Sequence, residues 1–304
     1  MKKIGYLFSG QGSQFEKMGQ DLYASEPTYR QVIDEASSVL DLDLADESVM
    51  DDPKNVQVAI LAMSYGIYCT VKNQFPKAQA MLGLSLGEYG ALVASGALDF
   101  KTALLLVRDR SQYMAEAGAA NPGSMAAVLK LAPEKVAAVC AEIAGVYPAN
   151  YNTATQTVIG GETSSVQTAI TTLKEAGAKR VVPLKVAVAS HTPLMQSASD
   201  KLATRLQDVN FSEFTIPVIS NTTGRQFEKD SVKATLRDQL IKPTHFATDL
   251  EYLNDQFEVD TLIEIGPGDT LSRFAKKTLK GINTYQVDSV ASLNQVQEMM
   301  KEED

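Results

Sequence analysis

A chain of 304 residues with 44% apolar and 21% charged side chains is long enough to bury a substantial core and is ordinary for a globular protein. Its formal net charge of −9 excludes a general nucleic-acid binder, which needs a positive surface against phosphate. No run approaches the roughly 18 apolar residues of a membrane span. Two widely separated cysteines, Cys69 and Cys140, offer neither a disulfide framework nor a thiolate metal site, so a reducing, cytoplasmic compartment is expected; no metal or cofactor is expected either.

Lys3–Phe8 reads as a buried strand running into a Gly-rich turn, Ser9-Gly10-Gln11-Gly12-Ser13-Gln14. The dinucleotide fingerprint G-x-G-x-x-G fails there, because Phe15 stands where the third glycine is required. A loop presenting backbone N–H groups, with Gln11 as one donor, fits better. Helical segments follow to about residue 45, and apolar residues at helical spacing cover Asn55–Lys72.

A short apolar run, Ala78–Leu82, then leads into Gly83-Leu84-Ser85-Leu86-Gly87 and a helical pattern over Glu88–Ala94. This is G-x-S-x-G with a strand before it and a helix after it, the context of a nucleophile elbow. A serine on such a turn projects its hydroxyl from a strained backbone. The new helix offers free N–H groups where an oxyanion would form, and the Leu86 amide is the natural first donor.

The next helix, Phe100–Ala117, carries an apolar stripe of Ala103, Leu106, Val107, Tyr113, Met114 and Ala117. Arg110 falls on that stripe, whereas Arg108 falls mainly on the other side. An inward guanidinium needs a partner, either an acidic side chain of the protein or a substrate carboxylate gripped in bidentate fashion.

From Gly123 the pattern changes to strand (Ser124–Leu131), helix (Pro133–Ala144), extended Pro148–Asn152, strand (Gln156–Ile159), helix (Ser164–Ala176) and strand (Arg180–Val188). That βαββαβ order predicts a ferredoxin-like insert. Beyond it, helix Leu194–Asp208, strand Pro217–Ser220, helix Lys233–Leu240 and strand Thr261–Ile265 resume an α/β alternation, and the acidic end Lys301–Asp304 is expected to fray. The expected fold is α/β. A hydrolase-like core with a parallel sheet and nucleophile elbow spans 1–122 and 191–304, with a ferredoxin-like subdomain inserted over 123–190.

A serine hydroxyl is a weak nucleophile without a base, and the chain has only two histidines, His191 and His245. His191 lies where a β-rich run meets a turn and is the preferred base; His245 sits in a loop beside an aromatic. No triad acid stands out, and a backbone carbonyl could hold the imidazole tautomer instead.

Taken in order, Gly10-Gln11-Gly12-Ser13-Gln14, Gly83-Leu84-Ser85-Leu86-Gly87-Glu88-Tyr89, Arg110 with Met114, Ser190-His191 and Gly266-Pro267-Gly268 resemble the malonyl-CoA:acyl carrier protein transacylases of bacterial fatty acid synthesis. The resemblance covers residue 4 to about residue 290. It implies that Ser85 becomes malonylated, that His191 is its base, and that the main-chain carbonyl of Gln239 orients His191. It further implies an oxyanion hole from the Gln11 and Leu86 amides, a malonyl carboxylate on Arg110 and Met114 lining the pocket. The family fold also carries a small ferredoxin-like subdomain.

Two positions depart from or blur the pattern. The family usually has histidine where this chain has Leu84, which predicts altered pocket packing. An Ala-Ser-His string like that of Ser190 also occurs in related polyketide acyltransferases that favour methylmalonyl units. Carrier proteins are acidic, so a local basic patch is expected to recruit one: Arg273, Lys276, Lys277 and Lys280 on a predicted helix, or Lys179, Arg180 and Lys185.

Overall fold

The computed structural model describes residues 2–50, 52–186 and 188–301. The first strand, β1 (Ile4–Phe8), is buried along its whole length. Its near-continuous apolar sequence suits a strand covered on both faces of a parallel sheet. Helices α1 (Gln20–Ser25), α2 (Pro27–Leu40), α3 (Glu47–Met50) and α4 (Val56–Val71) lead to β2 (Ala80–Gly83). Helix α4 is apolar almost all round, as its position demands, because it packs against α2, α5 (Gly87–Ala94) and α6 (Phe100–Ala120).

Past α6 the chain builds β3 (Gly123–Leu129), α7 (Pro133–Ala141), β4 (Val146–Thr153), β5 (Gln156–Glu162), α8 (Thr163–Glu175) and β6 (Arg180–Pro183). It then returns to the first layer with α9 (Gln196–Leu206), β7 (Val218–Ile219), α10 (Val232–Gln239), α11 (Phe246–Phe257), β8 (Thr261–Ile265), α12 (Thr270–Thr278), β9 (Asn283–Val287) and α13 (Val290–Lys301).

Two sheets result. The first is parallel, in the order β7-β2-β1-β8-β9, so β1 sits at its centre between β2 and β8. The second is antiparallel, in the order β4-β5-β3-β6, the strand order of a ferredoxin-like unit. It has its own small core, in which Val128, Ile159, Val166 and Leu173 pack between the sheet and its helices.

One segment departs from the sequence expectation. The strand expected over Arg180–Val188 ends at Pro183. Leu184 makes one last bond to the carbonyl of Met125, and the chain then leaves the sheet, with Lys185 and Val186 exposed. Among the described residues no partner strand continues beside the chain past Pro183. His191 therefore lies in a turn well beyond a strand end. Of the rest, Ala187 in that same run and residues 302–304 of the acidic end lie outside the described residues. Among the described residues no helix is long and apolar enough to cross a membrane.

Candidate active site

The carboxyl ends of β1 and β2 lie side by side, with Phe8 opposite Gly83 in the register. Ser85 follows two residues after β2 and precedes Leu86, the N-cap of α5, with φ 54°, a left-handed conformation that a residue with a side chain adopts only when its surroundings enforce it. The flanking glycines explain why the turn can close. A Cβ on Gly83 would meet the Gly87 carbonyl carbon at 2.0 Å, and one on Gly87 would meet the Phe8 oxygen at 2.0 Å. The spacing G-x-S-x-G is thus a steric requirement of elbow, strand and helix packed together.

His191 is buried and also left-handed, at φ 62°. Its backbone N–H bonds to the Leu240 carbonyl at 3.0 Å, which ties the turn to the end of α10. Its Nε2 lies 2.9 Å from Ser85 Oγ, and its Nδ1 lies 2.7 Å from the Gln239 carbonyl oxygen. A carbonyl only accepts, so Nδ1 carries the proton and Nε2 presents its lone pair to the serine. Burial, helped by the nearby Arg110 charge, pushes His191 down to about 4, so the imidazole is neutral at physiological pH. His245 is elsewhere: it caps α11 and stacks on Tyr151 with ring centroids 5.2 Å apart.

Arg110 is 1% exposed, in keeping with its place on the apolar stripe, whereas Arg108 is exposed. Its Nη1 donates to Gln57 Oε1 at 2.6 Å, and its Nη2 donates to Ser85 Oγ at 3.2 Å and to Gln239 Oε1 at 3.1 Å. The guanidinium also lies over the Tyr89 ring, 5.5 Å from its centroid. Among the described residues no carboxylate is within ion-pair distance, and Nε has no hydrogen-bond partner. Of the two partners open to it, the acidic side chain of the protein is therefore not in contact. The cation is held by neutral groups and faces the cleft.

A cleft of about 790 Å³ runs between the two sheets. Gln11, Ser85, Leu86, Arg110, Met114 and His191 line one wall; Met125, Ala127, Asn150, Asn152 and Val158 line the other. Among the described residues the amides of Gln11 and Leu86 have no protein partner, so both are free to point at an incoming oxygen. Leu84 also borders the cleft and packs against the cluster containing Phe246 and Phe274.

Several buried groups of the site escaped the sequence reading. Gln57 is a lone amide inside the apolar helix α4, and that isolation was a usable signal. Glu88 follows the elbow and is fully buried, which pushes it up to about 7; its Oε1 accepts the Asn221 N–H at 2.5 Å and its Oε2 accepts from Gln239 Nε2. Asn221 lies in a Ser-Asn-Thr-Thr-Gly turn, whose composition reads only as a loop.

Comparison with known proteins adds to this geometry. The acyl transferase domain family matches residues 5–303. The malonyl CoA-acyl carrier protein transacylase of Bacillus subtilis (strain 168) is 37% identical over 314 residues, covering 100% of this chain and 99% of that protein. The chain belongs to the acyl transferase family. The Escherichia coli (strain K12) protein of the same name is 36% identical over 306 residues, covering 96% and 98%. Among solved structures, this acyl transferase superposes on MCAT from Streptococcus pneumoniae with a TM-score of 0.93 at 41% identity, covering 98% of this chain and 100% of that one. It matches equally, at 0.93 and 35% identity with the same coverage, a malonyl-transacylase in complex with its type II PKS acyl-carrier protein. The α/β fold with one parallel and one separate antiparallel sheet is shared with these structures.

Proposed function

We propose that this acyl transferase moves malonyl from malonyl-CoA to the phosphopantetheine thiol of an acyl carrier protein, through an ester on Ser85, in the cytoplasm and in the service of fatty acid synthesis. One observation carries the reading. A single serine oxygen lies 2.9 Å from a neutral, buried imidazole nitrogen and 3.2 Å from a buried guanidinium that pairs with no carboxylate among the described residues. The first contact activates a nucleophile. The second marks where an acyl group bearing its own carboxylate belongs.

The steps follow from these positions. His191 Nε2 takes the Ser85 proton as Oγ attacks the thioester carbonyl. The developing oxyanion meets the Gln11 and Leu86 amides, aided by the N-terminal end of α5. The C–S bond breaks, and the CoA sulfur leaves with the proton from His191. In the second half, His191 takes the proton of the pantetheine thiol, the sulfur attacks the ester carbonyl, and the C–O bond breaks, returning the proton to Ser85. The Gln239 carbonyl holds Nδ1–H in both halves, doing the orienting work of a triad acid. Met114, near Gln57 and lining the cleft, packs the acyl pocket. These steps call for no metal or cofactor.

The two sheets divide this labour in our reading. Residues 1–122 and 191–304 supply the chemistry, and the small subdomain, 123–190, supplies the opposite wall. The carrier protein docks where basic side chains flank the cleft. Helix α12 lines it through Thr270, Leu271 and Phe274 and carries Arg273, Lys276 and Lys277, with Lys280 just beyond. Lys185 lines it from the other side, and Lys179 and Arg180 precede it in sequence at the start of β6. Intact mass spectrometry after mixing with malonyl-CoA tests the proposal. A gain of one malonyl group that vanishes in Ser85→Ala supports it; no gain, or a gain that persists in the variant, overturns it.

A further inference from the structure

The backbone of Ser85 is held on both sides of its Cα. Its carbonyl accepts from the Glu88 amide at 3.1 Å and from Gln239 Nε2 at 3.0 Å. Its N–H donates at 2.8 Å to the side-chain oxygen of Asn221, a residue 136 positions away that is wholly buried. Asn221 is itself bonded through every polar group it has. Its Nδ2 donates to Asp249 Oδ2 at 3.0 Å, its N–H to Glu88 Oε1 at 2.5 Å, and its carbonyl accepts from the His245 N–H at 3.1 Å.

This arrangement fixes direction as well as distance. The Asp249 oxygen accepts from Nδ2, so the Asn221 amide cannot flip without turning NH2 against the Ser85 N–H, donor on donor. Its Oδ1 is thereby committed to the serine amide. A serine at φ 54° costs energy that its surroundings must offset, and a buried, fully bonded anchor on its amide does so.

The consequence reaches the oxyanion. Three groups around the elbow could in principle turn an N–H toward the substrate: Gln11, Ser85 and Leu86. The Ser85 N–H is occupied, which leaves the Gln11 and Leu86 amides as the two free donors.

We infer that Asn221, held in orientation by Asp249, is a positioning residue for the nucleophile. It locks the left-handed elbow and keeps the Ser85 amide out of the oxyanion hole. The inference rests on Ser85 being the acylated residue, and it adds how Oγ is held on the line between His191 Nε2 and the incoming carbonyl. Positioning of this kind acts on the rate of bond formation and is indifferent to which acyl group arrives.

Two measurements test it. Stopped-flow CoA release with wild type and Asn221→Ala, each with malonyl-CoA and acetyl-CoA, reads acylation directly. The expected result is a fall of about 100-fold in the acylation rate at saturating donor, by the same factor for both donors, with KM within about twofold. A folded variant that acylates at wild-type rates, or that loses only malonyl transfer, overturns the inference. The second measurement uses wild type alone and stands even if the variant does not fold. Hydrogen exchange at the Ser85 amide, read by NMR before and after malonylation, should show protection in both states. Fast exchange in either state overturns it. A wild type that gains no malonyl group sinks the Ser85 reading itself, whereas an acylating wild type with an indifferent Asn221→Ala sinks only this one.

Discussion

The two walls of the cleft are built on different principles. On the parallel-sheet side, Ser85, His191, Arg110, Gln239, Glu88 and Asn221 are joined by hydrogen bonds of 2.5–3.2 Å, and two of them hold left-handed backbone. On the small-sheet side, Met125, Ala127 and Val158 form an apolar face with its own minor cluster, and the Asn150 amide donates to Thr244 Oγ1 at 2.9 Å. The difference teaches where preorganisation is needed. Groups that meet developing charge must already be in place, because their reorganisation would add to the barrier; a surface that guides an arm into the site has no such demand. If that division is right, substitutions on the first wall should act on acylation rate and those on the second on apparent affinity.

The largest effect is expected where the contrast is sharpest. Ser85→Ala and His191→Ala should each lower transfer by about 10⁴-fold or more, because the proposed mechanism makes them nucleophile and base acting as one unit, so that losing either loses both contributions. Their double variant should be scarcely worse than either single one, measured as malonyl transfer to carrier protein. Additive losses would mean that the 2.9 Å approach between them does not matter for the reaction.

Arg110 comes next. Arg110→Ala should cost about 100-fold in kcat/KM for malonyl-CoA, the scale of removing a charge-assisted hydrogen bond from a buried site. Acetyl transfer should survive or rise, since acetyl has no carboxylate to lose. Equal losses for both donors would reassign Arg110 to holding Ser85 Oγ alone, a role its 3.2 Å hydrogen bond also allows.

How much of this was readable beforehand differs between the walls as well. The elbow was legible because its glycines are steric necessities and its strand and helix flank it directly in sequence. Arg110 was legible through helical phase, which set it on the stripe of Leu106, Val107 and Met114. The βαββαβ order of the small sheet was legible, although the strand expected over Arg180–Val188 ends at Pro183, beyond which no partner strand continues among the described residues. What stayed hidden acts through the backbone or across long separations. The Gln239 carbonyl carries no residue signature and entered only through family resemblance. Asn221 looks like any turn asparagine until the fold brings it to Ser85. The sheet order β7-β2-β1-β8-β9 is likewise a tertiary fact that local pattern does not contain.

Histidine pKa offers a smaller but diagnostic test of the first wall. The proposed mechanism uses His191 in its neutral form, which burial favours, lowering the group to about 4. The His191 contribution to acylation should therefore stay nearly flat to pH 5 and fall with a midpoint near 4, any change near pH 7 belonging to Glu88. An unperturbed histidine, with a pKa of about 6.5, would already have lost about 30-fold at pH 5. Single-turnover acylation after a brief pH jump separates this from acid unfolding, and a midpoint near 6.5 would show that the imidazole is wetter than its enclosure indicates.

On the second wall, Asn152 is 5% exposed, lines the cleft, and its Oδ1 has no hydrogen-bond partner among the described residues. A buried acceptor left without a donor is costly unless a bound molecule supplies one, and the amide N–H groups of a pantetheine arm are of the right kind. Asn152→Ala should raise KM for malonyl-CoA about fivefold, one hydrogen bond's worth, and leave the acylation rate at saturation within about twofold. A fall in that rate with KM unchanged would place Asn152 with the chemistry and erase the division between the walls.

The smallest effect is expected at the seam. The segment through Thr244 joins the two halves: the Tyr151 N–H donates to its carbonyl at 2.8 Å, and its own N–H donates to the Ala149 carbonyl at 3.0 Å. His245 follows, with its ring stacked on Tyr151 and its backbone N–H on the carbonyl of Asn221. Only the ring is removed in His245→Ala; every backbone bond in this path survives. Losing a half-buried stacked pair should lower stability by about 1 kcal/mol, seen as a modest drop in Tm, with acylation and transfer unchanged. A loss of acylation rate with the drop in Tm no larger than this would mean that side-chain packing at the seam reaches Ser85 through Asn221, and that the two walls are mechanically coupled rather than merely apposed.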